Sequence, residues 1–253
     1  MKIVLFTIND TDYVPVLNEK LLQKFGSSIV KVYISKSFFS LKEIAKKYKF
    51  LIKNRYPFCI KTHDLFSYFK WKIVPIKKKR PLINYFKSKE IKASYIKDVN
   101  SFSFHQELKN IQPDIVIFNP FDKIVNKEFL SIPSIGTYNV HLGKLPEYKG
   151  GLSSFWVLRY GDSIAGATLH EVNEKIDEGN IIEEIRFKHN CKSMKELMDQ
   201  TTNIASEMIV KGVDKIINSR TVKISKDGRA SSYNYYPTAE DIKEFYKKGN
   251  RLI

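Results

Sequence analysis

The sequence predicts an α/β fold built on a mostly parallel sheet. Three features point there: short apolar runs at Ile3–Phe6 and Ile29–Ile34, an amphipathic stretch between them, and a resumed strand–helix–strand order from residue 91. A chain of 253 residues with 43% hydrophobic content can bury a full core without disulfide or metal staples. One large domain over residues 1–219 and a small extension over 220–253 are expected.

The elements follow in order. Met1–Phe6 enters the first strand directly, without the long apolar region or small-residue cleavage site of a secretory signal. Val14, Leu17, Leu21, Leu22 and Phe25 recur at helical spacing, and Gly26 ends that helix. Residues 37–90 mix Lys, Phe, Tyr and Ile without a clean period, and helices are expected near 40–54 and 62–71. A strand at Ile91–Ile96, a helix at Ser101–Ile111 and a strand at Asp114–Phe118 come next. Gly136–Val140 forms another strand, which ends at the polar pair Asn139 and His141. Ala167–Val172 and Ile181–Phe187 read as strands around a charged loop. Ser193 and Glu196 have capping-box spacing ahead of a helical stripe from Leu197 to Ile216, a stripe that belongs to the core. In the extension, Thr221–Ile224 and Tyr233–Tyr236 flank a turn at Asp227-Gly228 and are expected to pair as a hairpin, before a last helix capped by Thr238.

Composition narrows the function classes. No apolar run approaches the ~18 residues of a membrane span, so a soluble protein is expected. Cys59 and Cys191 have no metal-ligand spacing, which fits a reducing cytoplasm and argues against a metal site. The net charge of +16 comes mainly from lysines spread along the chain. The one dense run, Lys77–Arg80, reads as a solvated loop before it reads as a phosphate patch. The excess charge would also attract an anionic small substrate, and composition leaves both readings open.

Two segments carry candidate chemistry. In Asn139-Val-His141-Leu-Gly143-Lys-Leu145-Pro146-Glu-Tyr-Lys-Gly150-Gly151, a strand ends with an amide and an imidazole on one face, then enters a loop shaped by Gly and Pro. In Val172-Asn-Glu-Lys-Ile176-Asp177-Glu-Gly179, a carboxylate sits in a loop between strands. Singly, His141 could be a structural histidine and Asp177 a turn former. Together they supply a neutral donor for an oxyanion, a base near neutral pH and a carboxylate to orient it. Those groups suffice for acyl transfer to an amine, with no Ser or Cys nucleophile. His170 reads as packed or as a supporting group, and His63, His105 and His189 have no visible partner.

These segments closely resemble the 10-formyltetrahydrofolate-dependent formyltransferase family. Asn139/His141, Leu145-Pro146/Gly150 and Asp177/Gly179 stand where its signature has Asn-x-His, a Leu-Pro-x-x-x-Gly loop and Asp-x-Gly. The family's usual His-Pro step is His141-Leu142 here. The resemblance implies a Rossmann-like sheet and 10-formyltetrahydrofolate as co-substrate. It implies that Asn139 holds the formyl oxygen, His141 moves the amine proton and Asp177 sets the charge and orientation of His141. It places the pterin against Lys123-Ile124-Val125 and Glu174-Lys175-Ile176, largely through backbone groups.

Within that family the acceptor amine differs. Thr7-Ile8-Asn9-Asp10-Thr11-Asp12 lacks glycine and carries two acids where a phosphate loop would lie, which argues against a ribonucleotide phosphate. The segment after Ile217 is too short for a tRNA-binding barrel, although the basic charge keeps methionyl-tRNA as the runner-up. The wording of both motifs is most similar to the sugar-nucleotide N-formyltransferases. That branch implies a nucleotide-linked amino-deoxysugar as substrate, no specific nucleic acid, and a homodimer paired through the C-terminal extension.

Overall fold

The computed structural model describes residues 1–35, 81–219, 224–226 and 228–253. The helices expected near 40–54 and 62–71, Cys59, His63, Lys77–Arg80 and most of the Thr221–Ile224 strand lie outside the described residues.

Strand β1 (Ile3–Ile8) leads into helix α1 (Tyr13–Phe25) and, after one 3₁₀ turn, strand β2 (Ile29–Ser35). Helix α2 (Leu82–Lys87), β3 (Ala93–Ile96), α3 (Phe102–Ile111), β4 (Ile115–Phe118), α4 (Lys127–Leu130) and β5 (Gly136–His141) follow. Next come β6 (Lys149–Gly150), α5 (Ser153–Tyr160), β7 (Ile164–Glu171), β8 (Ile181–Lys188) and α6 (Met194–Ile217). The chain closes with β9 (Tyr233–Asn234) and α7 (Ala239–Lys247).

Seven strands form one sheet in the order β3-β2-β1-β4-β5-β7-β8. The first five strands in that order run parallel, while β7 and β8 are antiparallel additions. Both faces of the parallel part are covered, which is why its strands read as unbroken apolar runs. Ile3, Leu5, Val32, Ile34, Ile115 and Ile117 pack under α1 and α6 on one side. Val4, Phe6, Tyr33, Val116, Phe118 and Phe129 form an aromatic-rich layer on the other. Asn139 is in register with Phe118, so Asn139 and His141 point to the aromatic side of the sheet edge.

The long helix runs from Met194 to Ile217 as its apolar stripe requires, and Ser193 accepts the Glu196 N–H. A complete two-way capping box is found instead at Thr238 with Asp241. Of the expected C-terminal hairpin, residues 221–223 and the turn residue Asp227 lie outside the described residues. Tyr233–Asn234 pairs in parallel with Lys149–Gly150, and Ile224 bridges to Ile181. A short isolated hairpin is marginal in water; the described partners of Ile224, Tyr233 and Asn234 come from the large domain.

Candidate active site

His141 closes β5, and the loop after it folds back on its ring. Tyr148 places its backbone carbonyl 2.6 Å from Nε2, and Ser153 Oγ lies 3.3 Å from the same nitrogen. A carbonyl only accepts, so Nε2 carries the hydrogen and Nδ1 is left to exchange a proton. The loop reaches this position because Gly143 has no side chain: a Cβ there would stand 2.5 Å from Ser153 Oγ and 2.8 Å from His141 Nε2. Thr168 of β7 secures the loop, donating to the Gly143 carbonyl and accepting from the Leu145 N–H.

Asp177 arrives from the loop between β7 and β8. Its backbone has φ 54, a left-handed conformation that Asp tolerates better than most residues. Two residues on, the Gly179 backbone presses on the Glu171 carbonyl so closely that any Cβ would collide with it. The carboxylate reaches back over the sheet edge. Oδ2 lies 3.6 Å from His141 Nδ1 and accepts the Gly150 N–H at 2.8 Å, while Oδ1 is 3.5 Å from His170 Nε2. Burial would push this carboxyl up, but the two histidines in their protonated form and the Gly150 N–H outweigh it and hold it well below the usual carboxylate range.

His170 completes the constellation. Its Nδ1 donates to the Glu171 carbonyl at 2.7 Å, so its Nε2 can accept the Asn139 amide at 3.1 Å. That bond orients Asn139 with its NH2 group inward and leaves one amide hydrogen for another acceptor. Asp177 is thus brought beside His141, and His170 links it to Asn139. The sequence left His170 as a packed or supporting group, and Thr168 and Ser153 were not singled out. The period-two spacing that puts Thr168 and His170 on one face was the available signal.

The two loops read as pterin contacts lie on the aromatic side of the sheet, where Phe121, Val125 and Val172 join its core. Val125 is buried, whereas Ile124 is 69% exposed. Asn100 holds that loop open, donating to the Ile124 carbonyl and accepting the Asn126 N–H, both at 3.0 Å. Lys123 lies 3.8 Å from Asp122. On the other loop Ile176 is exposed, the Lys175 N–H bonds Asn173, and Lys175 faces Glu178. Glu174 lies at the solvent surface.

A further layer comes from the C-terminal segment, which straps both loops. Lys226 donates to the carbonyls of Glu178 and Gly179, next to Asp177. Arg229 forks onto Glu184 at 2.8 and 2.9 Å and also reaches the Leu145 carbonyl. Ser232 bonds the Glu147 and Pro146 carbonyls and accepts the Lys149 N–H.

With this geometry in view, the family can be assigned. A formyl transferase family model matches residues 74–213, more than half of the chain. The chain belongs to that family. Among its relatives, the bifunctional polymyxin resistance protein ArnA of Wigglesworthia glossinidia brevipalpis is 30% identical over 145 residues, covering 57% of this chain and 22% of that protein. Methionyl-tRNA formyltransferase of Prochlorococcus marinus is 29% identical over 162 residues, covering 61% of this chain and 49% of that protein. The chain therefore spans about half the length, or less, of these curated relatives. Among solved structures, an N-formyltransferase from Helicobacter canadensis, in complex with folinic acid and dTDP-3-aminofucose, superposes with a TM-score of 0.61 at 19% identity. That match covers 98% of this chain and 80% of the other. A phosphoribosylglycinamide formyltransferase from Anaplasma phagocytophilum gives a TM-score of 0.62 at 16% identity, over 93% and 97% of the two chains. These structural likenesses establish the shared formyl transferase fold.

Proposed function

We propose that the chain transfers a formyl group from 10-formyltetrahydrofolate to the amine of a nucleotide-linked amino-deoxysugar. We take dTDP-4-amino-4,6-dideoxyglucose as the specific substrate, made for surface polysaccharide such as O-antigen in the cytoplasm. The carrying observation is the convergence of Asn139, His141 and Asp177, with His170 behind them, on one strand edge.

In this reading the amine nitrogen attacks the formyl carbon, and the carbonyl oxygen gains charge. The free hydrogen of the Asn139 amide meets that oxygen. His141 takes the amine proton at Nδ1, where Asp177 stabilises the imidazolium that forms. The bond from the formyl carbon to folate N10 then breaks, and the proton passes to that nitrogen. The products are the N-formyl sugar nucleotide and tetrahydrofolate. For the pterin, the residues present fit a flat heterocycle: Ile124 and Ile176 stay exposed on the two loops, offering apolar surface beside backbone groups. Lys123, Val125, Glu174 and Lys175 complete those loops.

The start of α1 favours a sugar nucleotide over a ribonucleotide phosphate. Asp10 accepts the N–H groups of Asp12 and Tyr13 at 2.8 and 3.0 Å, the amides a phosphate would need there. The dTDP-sugar complex of the Helicobacter canadensis relative supports the same choice. We read residues 1–219 as the catalytic domain and 220–253 as an extension through which two copies pair. Tyr235 and Tyr236, 76% and 74% exposed, are the residues we assign to that contact.

Incubation with 10-formyltetrahydrofolate and a panel of 3-amino and 4-amino sugar nucleotides tests the reading. One sugar should gain the mass of a CO unit, and a panel without any gain would refute it. The methionyl-tRNA relatives keep a second reading in view. Salt-resistant binding of initiator tRNA with formylation of its methionyl group would favour that one.

A further inference from the structure

Lys144 is buried and takes no part in the reaction above. Its ammonium lies 2.5 Å from Asp162 Oδ2. One turn later Tyr148 donates its hydroxyl to the same oxygen at 3.2 Å, and the ammonium stands 5.4 Å from the Tyr148 ring centroid. The backbone closes that turn, with Tyr148 N–H donating to the Lys144 carbonyl at 2.8 Å. Asp162 is anchored in turn: its Oδ1 accepts the Ile164 N–H, and His189 Nε2 donates to its carbonyl, both at 2.9 Å. Burying the Lys144 ammonium against the half-buried Asp162 carries a desolvation cost, and an apolar residue fills such a space at least as well. What the charged pair adds is a fixed turn, and the atom that turn presents to the site is the Tyr148 carbonyl oxygen, 2.6 Å from His141 Nε2.

We propose that Lys144, Tyr148 and Asp162 form a positioning clamp that holds the Tyr148 carbonyl on His141 Nε2, fixing the Nε2–H tautomer and making Nδ1 the proton-accepting atom. The inference rests on the reading of His141 as the base. Among the described residues, polar groups meet both ring nitrogens of the imidazole. The Tyr148 carbonyl and Ser153 hydroxyl meet Nε2, Asp177 meets Nδ1, and His170 faces the other oxygen of Asp177. Once protonated, the ring points one N–H at a carbonyl and the other at a carboxylate. An imidazolium donates more strongly than a neutral imidazole. Loosening the carbonyl therefore penalises the protonated ring more than the neutral one, so the clamp acts on His141 without touching substrate.

The test is nitrogen-15 NMR of the full chain across pH, beside the pH profile of kcat. The wild type should show His141 as the Nε2–H tautomer. Lys144→Met and Tyr148→Phe should lower its titration midpoint and move the acid limb of kcat to lower pH by the same amount. KM should barely change, and Lys144→Arg should restore part of the loss. Tyr148→Phe removes only a hydroxyl, so it carries the test if Lys144→Met does not fold. An Nδ1–H tautomer in the wild type, or an unmoved His141 midpoint in folded Tyr148→Phe, would overturn the clamp. The NMR titration needs no turnover, so failure of the clamp and failure of the formyl-transfer reading are distinguishable.

Discussion

Gly150 donates its backbone N–H to Asp177 Oδ2 over 2.8 Å, the same oxygen that faces His141 Nδ1 at 3.6 Å. The glycine-rich loop and the acid loop are thus joined at the oxygen that faces the imidazole. Neither loop can shift without moving the carboxylate that both share.

Replacing Asp177 by Asn keeps the shape but removes the charge behind the imidazolium. Asp177→Asn and His141→Asn should each lower kcat by at least ~100-fold, the usual worth of a positioned acid–base group. Circular dichroism should show both variants folded. Near-normal turnover in either would remove the mechanism.

Gly143→Ala tests the close approach of Ser153 and His141. Its Cβ must displace groups 2.5 and 2.8 Å away, an overpacking cost of about 1–3 kcal/mol. The Gly143→Ala variant should melt earlier and lose kcat together, because the ring it displaces is the proposed base. A variant as stable and as fast as wild type would show that the loop yields freely.

Much of this arrangement was legible in the sequence, and the reason is local. Asn139 and His141 sit two residues apart on a strand, so their shared face follows from the pleat alone. The α6 helix announces itself by a stripe from Leu197 to Ile216 and a Ser cap. What could not be read was long-range. The contacts of Lys226 with the carbonyls of residues 178 and 179, and of Arg229 with Glu184, join segments more than 40 residues apart. No periodicity encodes such pairs. The pairing of Tyr233 with Lys149 was unreadable for the same cause: strand propensity at Tyr233 does not say which backbone edge will receive it.

Stability should depend on acidity through Asp177. Its carboxyl titrates below its unfolded value of about 3.9, so its contribution is present above that pH and is lost as pH falls through the folded value. Below pH ~4 the wild type should therefore lose stability more steeply than Asp177→Asn. Denaturant midpoints across that range read the difference, and parallel curves would contradict the assigned environment. Over the working range Asp177 stays ionised.

Mutation can separate the strapping contacts of the extension from its proposed pairing role. Arg229 and Ser232 face inward, onto Glu184 and onto the carbonyls of Leu145, Pro146 and Glu147, whereas Tyr235 and Tyr236 face outward. Arg229→Met removes a forked charge-assisted pair worth roughly 1.5–3 kcal/mol and frees the loop that carries Tyr148. It should lower kcat and melting temperature while leaving the subunit count unchanged. Tyr235→Ser with Tyr236→Ser should do the reverse. That double variant touches none of the strapping bonds, so light scattering should fall from twice the chain mass to one chain mass, with turnover kept. A wild type that is monomeric at micromolar concentration would end the dimer proposal. A double variant that loses activity while remaining paired would show instead that the tyrosines serve the site.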